Sequence, residues 1–309
     1  MMPNIFIPSY HRAENIKTVN YFVKIGYPVD KLHVVIDDEA DDVESYKGVA
    51  ESYGFNLHIF DMQEARHRYD YIHRPSKARR SAGQARNMFY DIAKSLSIDF
   101  YVVIDDDTNC YENRPFGKYK GKATLKNFEI VFGGVEKMMR RYHVGLFGLS
   151  QTGELFNAGE LDRGLLRTKI MNTTFVLMPY VYRGERGIQD NDTSQFVAAL
   201  NEGYFVASFR SGLVLNQVQS ATAAGGLTDL YKECRLLNKS LVCPITYPSA
   251  IHAERQKMNG GRLHHRINYR YIAPKILRVY GCKGNIEYDA YSEDVPFTNE
   301  PKRVKNDSE

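Results

Sequence analysis

Short apolar runs bounded by polar turns alternate with stretches of helical period through the first third of the chain. Asn4-Ile5-Phe6-Ile7-Pro8 reads as a strand. Ile16, Val19, Phe22 and Val23 then fall on one face of a helix that Gly26 stops. Leu32-His33-Val34-Val35-Ile36 is a second buried strand, ending in Asp37-Asp38. Val43, Tyr46, Val49 and Tyr53 mark the next helix, which stops at Gly54, and Leu57-His58-Ile59-Phe60 is a third strand. Residues 61–80 form a basic connection too long for an idle turn. A helix from about Ala82 to Leu96 buries Ala85, Phe89, Ile92 and Leu96 and leads into the apolar run Phe100-Tyr101-Val102-Val103-Ile104. Repeated strand–helix–strand units predict an α/β fold with a mostly parallel, Rossmann-like sheet flanked by helices. Its ligand crevice lies at the C-terminal ends of the strands.

The second half is less regular. Helix patterns occur at 125–141, 193–202 and 227–237, and strand patterns at 144–149, 173–178 and 204–209. Ser220 to Gly226 is small and weakly polar, the composition of a mobile loop near a site or of a plain linker. The stretch from Ser292 to Glu309 is polar and reads as a frayed tail.

Three consecutive carboxylates, Asp105-Asp106-Asp107, close the fourth strand. Each needs water, a cation or a donor to offset its desolvation. Carboxylates clustered at such a strand exit suit Mg²⁺ or Mn²⁺ held against a diphosphate. Pro8-Ser9-Tyr10 and Asp37-Asp38 fall at equivalent strand ends, so the candidates converge on one edge of the sheet.

Composition narrows the partners. The 309 residues carry a net charge of only +4, yet the charge is uneven. Arg66, Arg68, Arg74, Lys77, Arg79, Arg80 and Arg86 face a single acid, Asp70, within residues 66–86. Residues 255–283 are basic and hold no acid at all. Such stretches suit the phosphates of a nucleotide or of a nucleic acid backbone, and either one alone equally suits a solvated basic face. No apolar run is long enough to cross a bilayer, so no membrane partner is expected. The N-terminal residues lack a basic region followed by a long apolar one. Cys110, Cys234, Cys243 and Cys282 have no paired metal-ligand spacing and read as reduced thiols of a cytoplasmic protein.

The ordered signals Pro8-Ser9-Tyr10-x-Arg12, Val35-Ile36-Asp37-Asp38, Gly83-x-Ala85-Arg86-Asn87 and Ile104-Asp105-Asp106-Asp107 resemble the nucleotide-sugar half of a GT-A glycosyltransferase. The resemblance implies a GT-A-like fold, a UDP-sugar donor and Mn²⁺ or Mg²⁺. It implies a nucleotide-sugar-binding half over 1–115 and, within the same domain, an acceptor-binding half with the catalytic base over 116–291. Asp105 and Asp107 would be the metal-binding pair, with Asp106 an alternative register; an extended strand would put Asp105 and Asp107 on one face. Asp37 or Asp38 would bind the base or ribose, and Pro8, Tyr10 and Arg12 would line the base pocket. Arg79 or Arg80, with Arg86 after Gly83, would face the diphosphate or donor sugar, and Asn87 would brace the loop.

By the same resemblance, the catalytic base belongs at a helix start in the second half. Asp192 fits the spacing to Gly203, and Asp190 is the other register. An N-cap is the competing role for Asp192. His252, or secondly His264, would be the third metal ligand. The segment Ser220–Tyr231, together with the N-terminal pattern, is similar to phage transferases that glycosylate 5-hydroxymethylpyrimidines in DNA. That likeness implies 5-hydroxymethylcytosine as acceptor, location in a phage host's cytoplasm, and double-stranded DNA gripped by Arg262, Arg266 and Arg270. The other readings are a transferase for a soluble glycan or protein, a sugar nucleotidyltransferase, and a non-catalytic DNA-binding module. A nucleotidyltransferase favours a glycine-rich loop after the first strand, and Pro8-Ser9-Tyr10-His11-Arg12 contains no glycine.

Overall fold

The computed structural model describes residues 2–68, 82–115, 118–151, 169–180, 191–201, 204, 206–209, 212–216, 240–255 and 263–272. A seven-stranded sheet organises them. In chain order its strands are β1 (Asn4–Pro8), β2 (Leu32–Asp37), β3 (Asn56–Phe60), β4 (Phe100–Val103), β6 (Leu146–Leu149), β7 (Thr173–Leu177) and β8 (Val206–Phe209). The spatial order is β3-β2-β1-β4-β7-β6-β8. β1 to β4 run parallel, as do β6 and β8, and only β7 is antiparallel to its neighbours. This is the Rossmann-like, mostly parallel architecture that the alternating pattern predicts. Strands from both halves of the chain share it. Two small antiparallel ladders stand apart: β5 (Cys110–Arg114) with β9 (Gly212–Asn216), and β10 (Ile251–Arg255) with β11 (Leu263–Ile267).

The strands are apolar on both faces because helices cover both. Successive side chains of a strand point to opposite faces. Ile5, Ile7, Val34, Ile36 and Val102 therefore pack on one side, with α1 (Lys17–Lys24), α2 (Val43–Tyr53) and α5 (Leu125–Tyr142). There Phe22, Tyr111, Phe128 and Phe132 meet largely edge-to-face with ring centroids 5.1 to 6.4 Å apart. Such pairs add about 0.5–1.5 kcal/mol each beyond their buried area. Phe6, Val35, Tyr101 and Val103 point the other way, onto α3 (Met62–Arg68), α4 (Ala82–Ser95) and α6 (Asn191–Asn201).

Several local expectations change. α3 occupies part of the predicted basic connection, with only Met62 and Ala65 buried against the core. Leu96 lies past the end of α4 and is exposed, and Ala93 fills the inner face instead. Gly54 ends α2 with φ of +81°, the left-handed conformation a C-terminal glycine permits, and donates its N–H to the Ala50 carbonyl at 2.8 Å. The predicted helix at 227–237, the loop at 220–226 and the tail from Ser292 lie outside the described residues.

Candidate active site

The three aspartates do not continue β4. The strand ends at Val103, and Asp106 and Asp107 sit in a turn, so strand alternation no longer governs which way they face. Thr18, at the start of α1, holds that turn in place. Its hydroxyl donates to the Asp105 carbonyl, its N–H donates to the Asp106 carbonyl at 3.2 Å, and its hydroxyl accepts the Thr108 N–H at 3.0 Å.

Each carboxylate has a different environment. Asp106 is buried, accepting from Ser9 Oγ at 2.8 Å and from the Arg12 guanidinium. Ser9 Oγ also lies 2.7 Å from the Tyr46 hydroxyl, which in turn accepts the Arg12 N–H at 3.1 Å. Burial pushes Asp106 up to about 6, against the opposing pull of Arg12 and Ser9. Burial likewise pushes the Tyr46 phenol up to about 12. Asp107 is less enclosed, with Arg12 Nη1 at 3.7 Å from its Oδ2. Burial, then repulsion from Asp105, raises its carboxyl above the ordinary range. Asp105 accepts from Arg86 Nη2 at 2.6 Å.

Arg86 connects this turn to the second candidate region. It stands on α4 and lines a small cleft with Asp192 and Gln195 of α6, Val103 at the end of β4, Thr174 of β7, and Ile170. α4 and α6 approach closely because Gly83 has no side chain. A Cβ there would lie 2.6 Å from Asn191 Nδ2, and Asn191 is buried. The glycine of the Gly83-x-Ala85-Arg86-Asn87 pattern thus brings Arg86 beside the helix start that carries Asp192. Asp192 lies in the first turn of α6, where Lys169 Nζ donates to its Oδ2 at 2.6 Å.

Pro8 is buried at the end of β1, while Tyr10 packs edge-on against His11 with centroids 3.9 Å apart. Asp37 is buried and accepts the Glu39 N–H at 3.1 Å. Asp38 is exposed and accepts the Met62 N–H at 2.9 Å, at the start of α3. Asn87 is buried on α4. His252, on β10, is more than half exposed and lies 3.6 Å from Glu254. His264 packs edge-on against His265. No group of three His, Cys, Asp or Glu side chains able to hold a metal exists among the described residues, so neither histidine completes such a set with the aspartates. Arg266 pairs with Glu254 at 2.8 Å, and Arg270 is exposed on the short helix Tyr269–Ile272. Arg79, Arg80, Asp190, Arg262 and the whole of Ser220–Tyr231 lie outside the described residues, and no described helix is long and apolar enough to cross a membrane.

Four site residues escape the sequence reading. Ser9 sits inside a quoted motif without a role. Tyr46 looks like a member of an apolar helix face, Thr18 is a single polar residue beside such a face, and Lys169 stands in a segment without pattern.

A family model for TET-associated glycosyltransferases matches residues 3–226. No curated protein matches the chain. Among solved structures, the mannosyltransferase PcManGT from Pyrobaculum calidifontis, in complex with GDP-Man and Mn²⁺, is similar at 15% identity and a TM-score of 0.48. That match covers 79% of this chain and 64% of the mannosyltransferase. Glucosyl-3-phosphoglycerate synthase from Mycobacterium tuberculosis, in complex with Mn²⁺, uridine diphosphate and glucosyl-3-phosphoglycerate, is similar at 12% identity and a TM-score of 0.39, covering 86% of this chain and 87% of the synthase. S. aureus TarS is similar at 13% identity and a TM-score of 0.38, covering 77% of this chain. The chain spans less than two thirds of the mannosyltransferase, and only 39% of TarS.

Proposed function

The chain belongs to the TET-associated glycosyltransferase family, and from that premise we propose that it transfers a sugar from a UDP-sugar to a hydroxyl with the help of Mn²⁺ or Mg²⁺. The acceptor in this proposal is the hydroxymethyl group of 5-hydroxymethylcytosine in DNA. One observation carries the reading: Arg86 touches Asp105 in the carboxylate turn and lines the cleft that holds Asp192. Donor-binding and proton-accepting groups would then stand on either side of one guanidinium.

The carboxylate turn fits a divalent cation. Asp107 is disfavoured as an anion by burial and by Asp105, a charge conflict that a cation relieves. Two protein carboxylates are enough, because Mg²⁺ is commonly held by one or two carboxylates together with substrate phosphates. Asp105 and Asp107 would hold the ion, while Asp106 stays with Ser9 and Arg12. When bound, the ion supplies neutralisation of charge on the leaving diphosphate.

The chain's own residues do the rest. Arg86 and Arg12 offer guanidinium charge where the diphosphate gains negative charge. Tyr10 and Asp37 stand at strand ends suited to the base and ribose. Asp192 accepts the proton of the acceptor hydroxyl as its oxygen bonds to the anomeric carbon. The bond from that carbon to the diphosphate breaks, and its electron pair leaves with the nucleotide. A cytosine inside a duplex cannot reach such a cleft, so the acceptor base would be flipped out. Arg270, Arg262 and Arg266 would contact backbone phosphates, Arg266 by exchanging its partner Glu254.

Incubation with Mn²⁺, a panel of UDP-sugars and either hydroxymethylated or plain DNA tests the proposal. Sugar incorporation into the hydroxymethylated DNA alone is the expected result. Incorporation no higher than the plain-DNA control sinks the acceptor.

A further inference from the structure

Lys169 comes from the segment just before β7 and reaches the N-terminal turn of α6. Its ammonium lies 2.6 Å from Asp192 Oδ2 and 3.3 Å from Thr193 Oγ1. Thr193 is fully buried, and its hydroxyl lies 3.2 Å from Nε2 of the buried His265 on β11. Both members of the ion pair are largely enclosed, with side-chain exposures of 24% for Lys169 and 18% for Asp192. An enclosed ion pair is weak evidence for stability, because desolvation offsets most of the attraction. Its better-attested use is to fix an arrangement, and here the arrangement borders the cleft that Arg86 shares.

Resting on the reading of Asp192 as the base, we propose that Lys169 is a positioning residue for sugar transfer: its ammonium, steadied by the Thr193–His265 contact, fixes the Asp192 carboxylate at the cleft. Among the described residues, the charged and titratable groups around this carboxylate come from three elements. They are Arg86 on α4, Lys169 before β7, and His265 on β11 through Thr193. Lys169 takes no proton and forms no bond in the reaction. The acceptor proton goes to Asp192, and the electron pair of the broken carbon–oxygen bond goes to the nucleoside diphosphate. An adjacent ammonium also favours an ionised carboxylate, so the acid limb of the rate profile reports the contact.

The test uses the full chain with Lys169→Met, Lys169→Arg and Asp192→Asn, measuring sugar transfer and nucleotide release across pH. Lys169→Met should lower kcat by roughly 10- to 100-fold, part of the 10²–10⁴-fold that a placed general base supplies. KM should change little, and the acid limb should move to higher pH. Lys169→Arg should restore both in part. Unchanged kcat and an unchanged acid limb in Lys169→Met, with Asp192→Asn inactive, would overturn the role of Lys169 and leave the base reading intact. An active Asp192→Asn would overturn the base reading itself. A carbon-13 titration of the Asp192 carboxyl in metal-free protein needs no substrate: its midpoint should rise in Lys169→Met, and coincident curves would overturn the contact's effect.

Discussion

Asn4 and Ser9 stand near opposite ends of β1, and each anchors a polar network inside the protein. At the Asn4 end, His33 Nε2 lies 3.0 Å from Asn4 Oδ1 and His33 Nδ1 lies 2.9 Å from His58 Nε2, while Phe6 stacks on the His33 ring at 4.7 Å. With the Asn4 oxygen as acceptor, His33 donates from Nε2, and its Nδ1 accepts from His58. Burial pushes His33 down to about 4 and lowers His58 as well, so the network is neutral. At the Ser9 end burial acts in the same sense, raising Asp106 and Tyr46. Yet there the chain sets three carboxylates together and brings in Arg12 and Arg86 to face them. One sheet thus treats charge in two ways. It removes charge from its interior and concentrates it at the C-terminal edge of its strands, where substrate charge can be met.

Asp107→Asn should separate the two networks most sharply. It leaves Asp106 with Ser9 and Arg12 in place, so the fold should persist and thermal unfolding should move little. Metal-dependent turnover should fall on the order of 10²-fold or more, the scale of a lost electrostatic group at a developing charge. A variant that keeps full metal-dependent turnover would sink the assignment of Asp107 to the cation.

Gly83→Ala comes next in size. The added methyl meets the buried Asn191 side chain at 2.6 Å, and overpacking of this kind costs about 1–3 kcal/mol. Stability should fall by that amount in denaturant unfolding. Turnover should fall too, because the turn carrying Asp192 is pushed away from Arg86. Asn191→Ser in the same chain should restore much of both. If Gly83→Ala alone changes neither, the α4–α6 contact does not join the two charge clusters.

The charged edge was more legible in the sequence than the means of holding it. Asp105 to Asp107 are visible because carboxylates seldom follow a buried apolar strand without purpose, and Gly83 and Arg86 because they share one short pattern. Tyr46 was legible only as a ring on the apolar face of α2; that its hydroxyl meets Ser9 depends on how α2 sits against β1. Thr18 and Lys169 are single polar residues brought in by packing across 87 and 23 positions of sequence separation, which no periodicity reports. The pairing of β5 with β9 is not legible in the sequence for a related reason. Their pairing, Glu112 against Val214 and Asn113 against Leu213, is made between segments far apart in the chain. The parallel strands needed no such knowledge, since burial on both faces writes itself as an unbroken apolar run.

His33→Gln is the smallest expected change and the complement of Asp107→Asn. Removing the stacked ring and its hydrogen bonds should cost about 1–2 kcal/mol at pH 7 and leave kcat where it was. The pH dependence carries the more discriminating signal. Between the ordinary histidine value of 6.5 and the folded value of about 4, the unfolded chain binds a proton at His33 that the native protein does not. The stability tied to the neutral ring is therefore fully present above pH 6.5 and is lost as pH falls towards 4. His58, shifted the same way, adds to that slope. The stability difference between the wild-type protein and His33→Gln should shrink on acidification, measured by denaturant unfolding at pH 7, 6 and 5 with chelator present. A difference that stays constant across that range would mean that His33 takes up its proton in the fold as readily as in the unfolded chain, and that the contrast between a neutral interior and a charged edge is wrong.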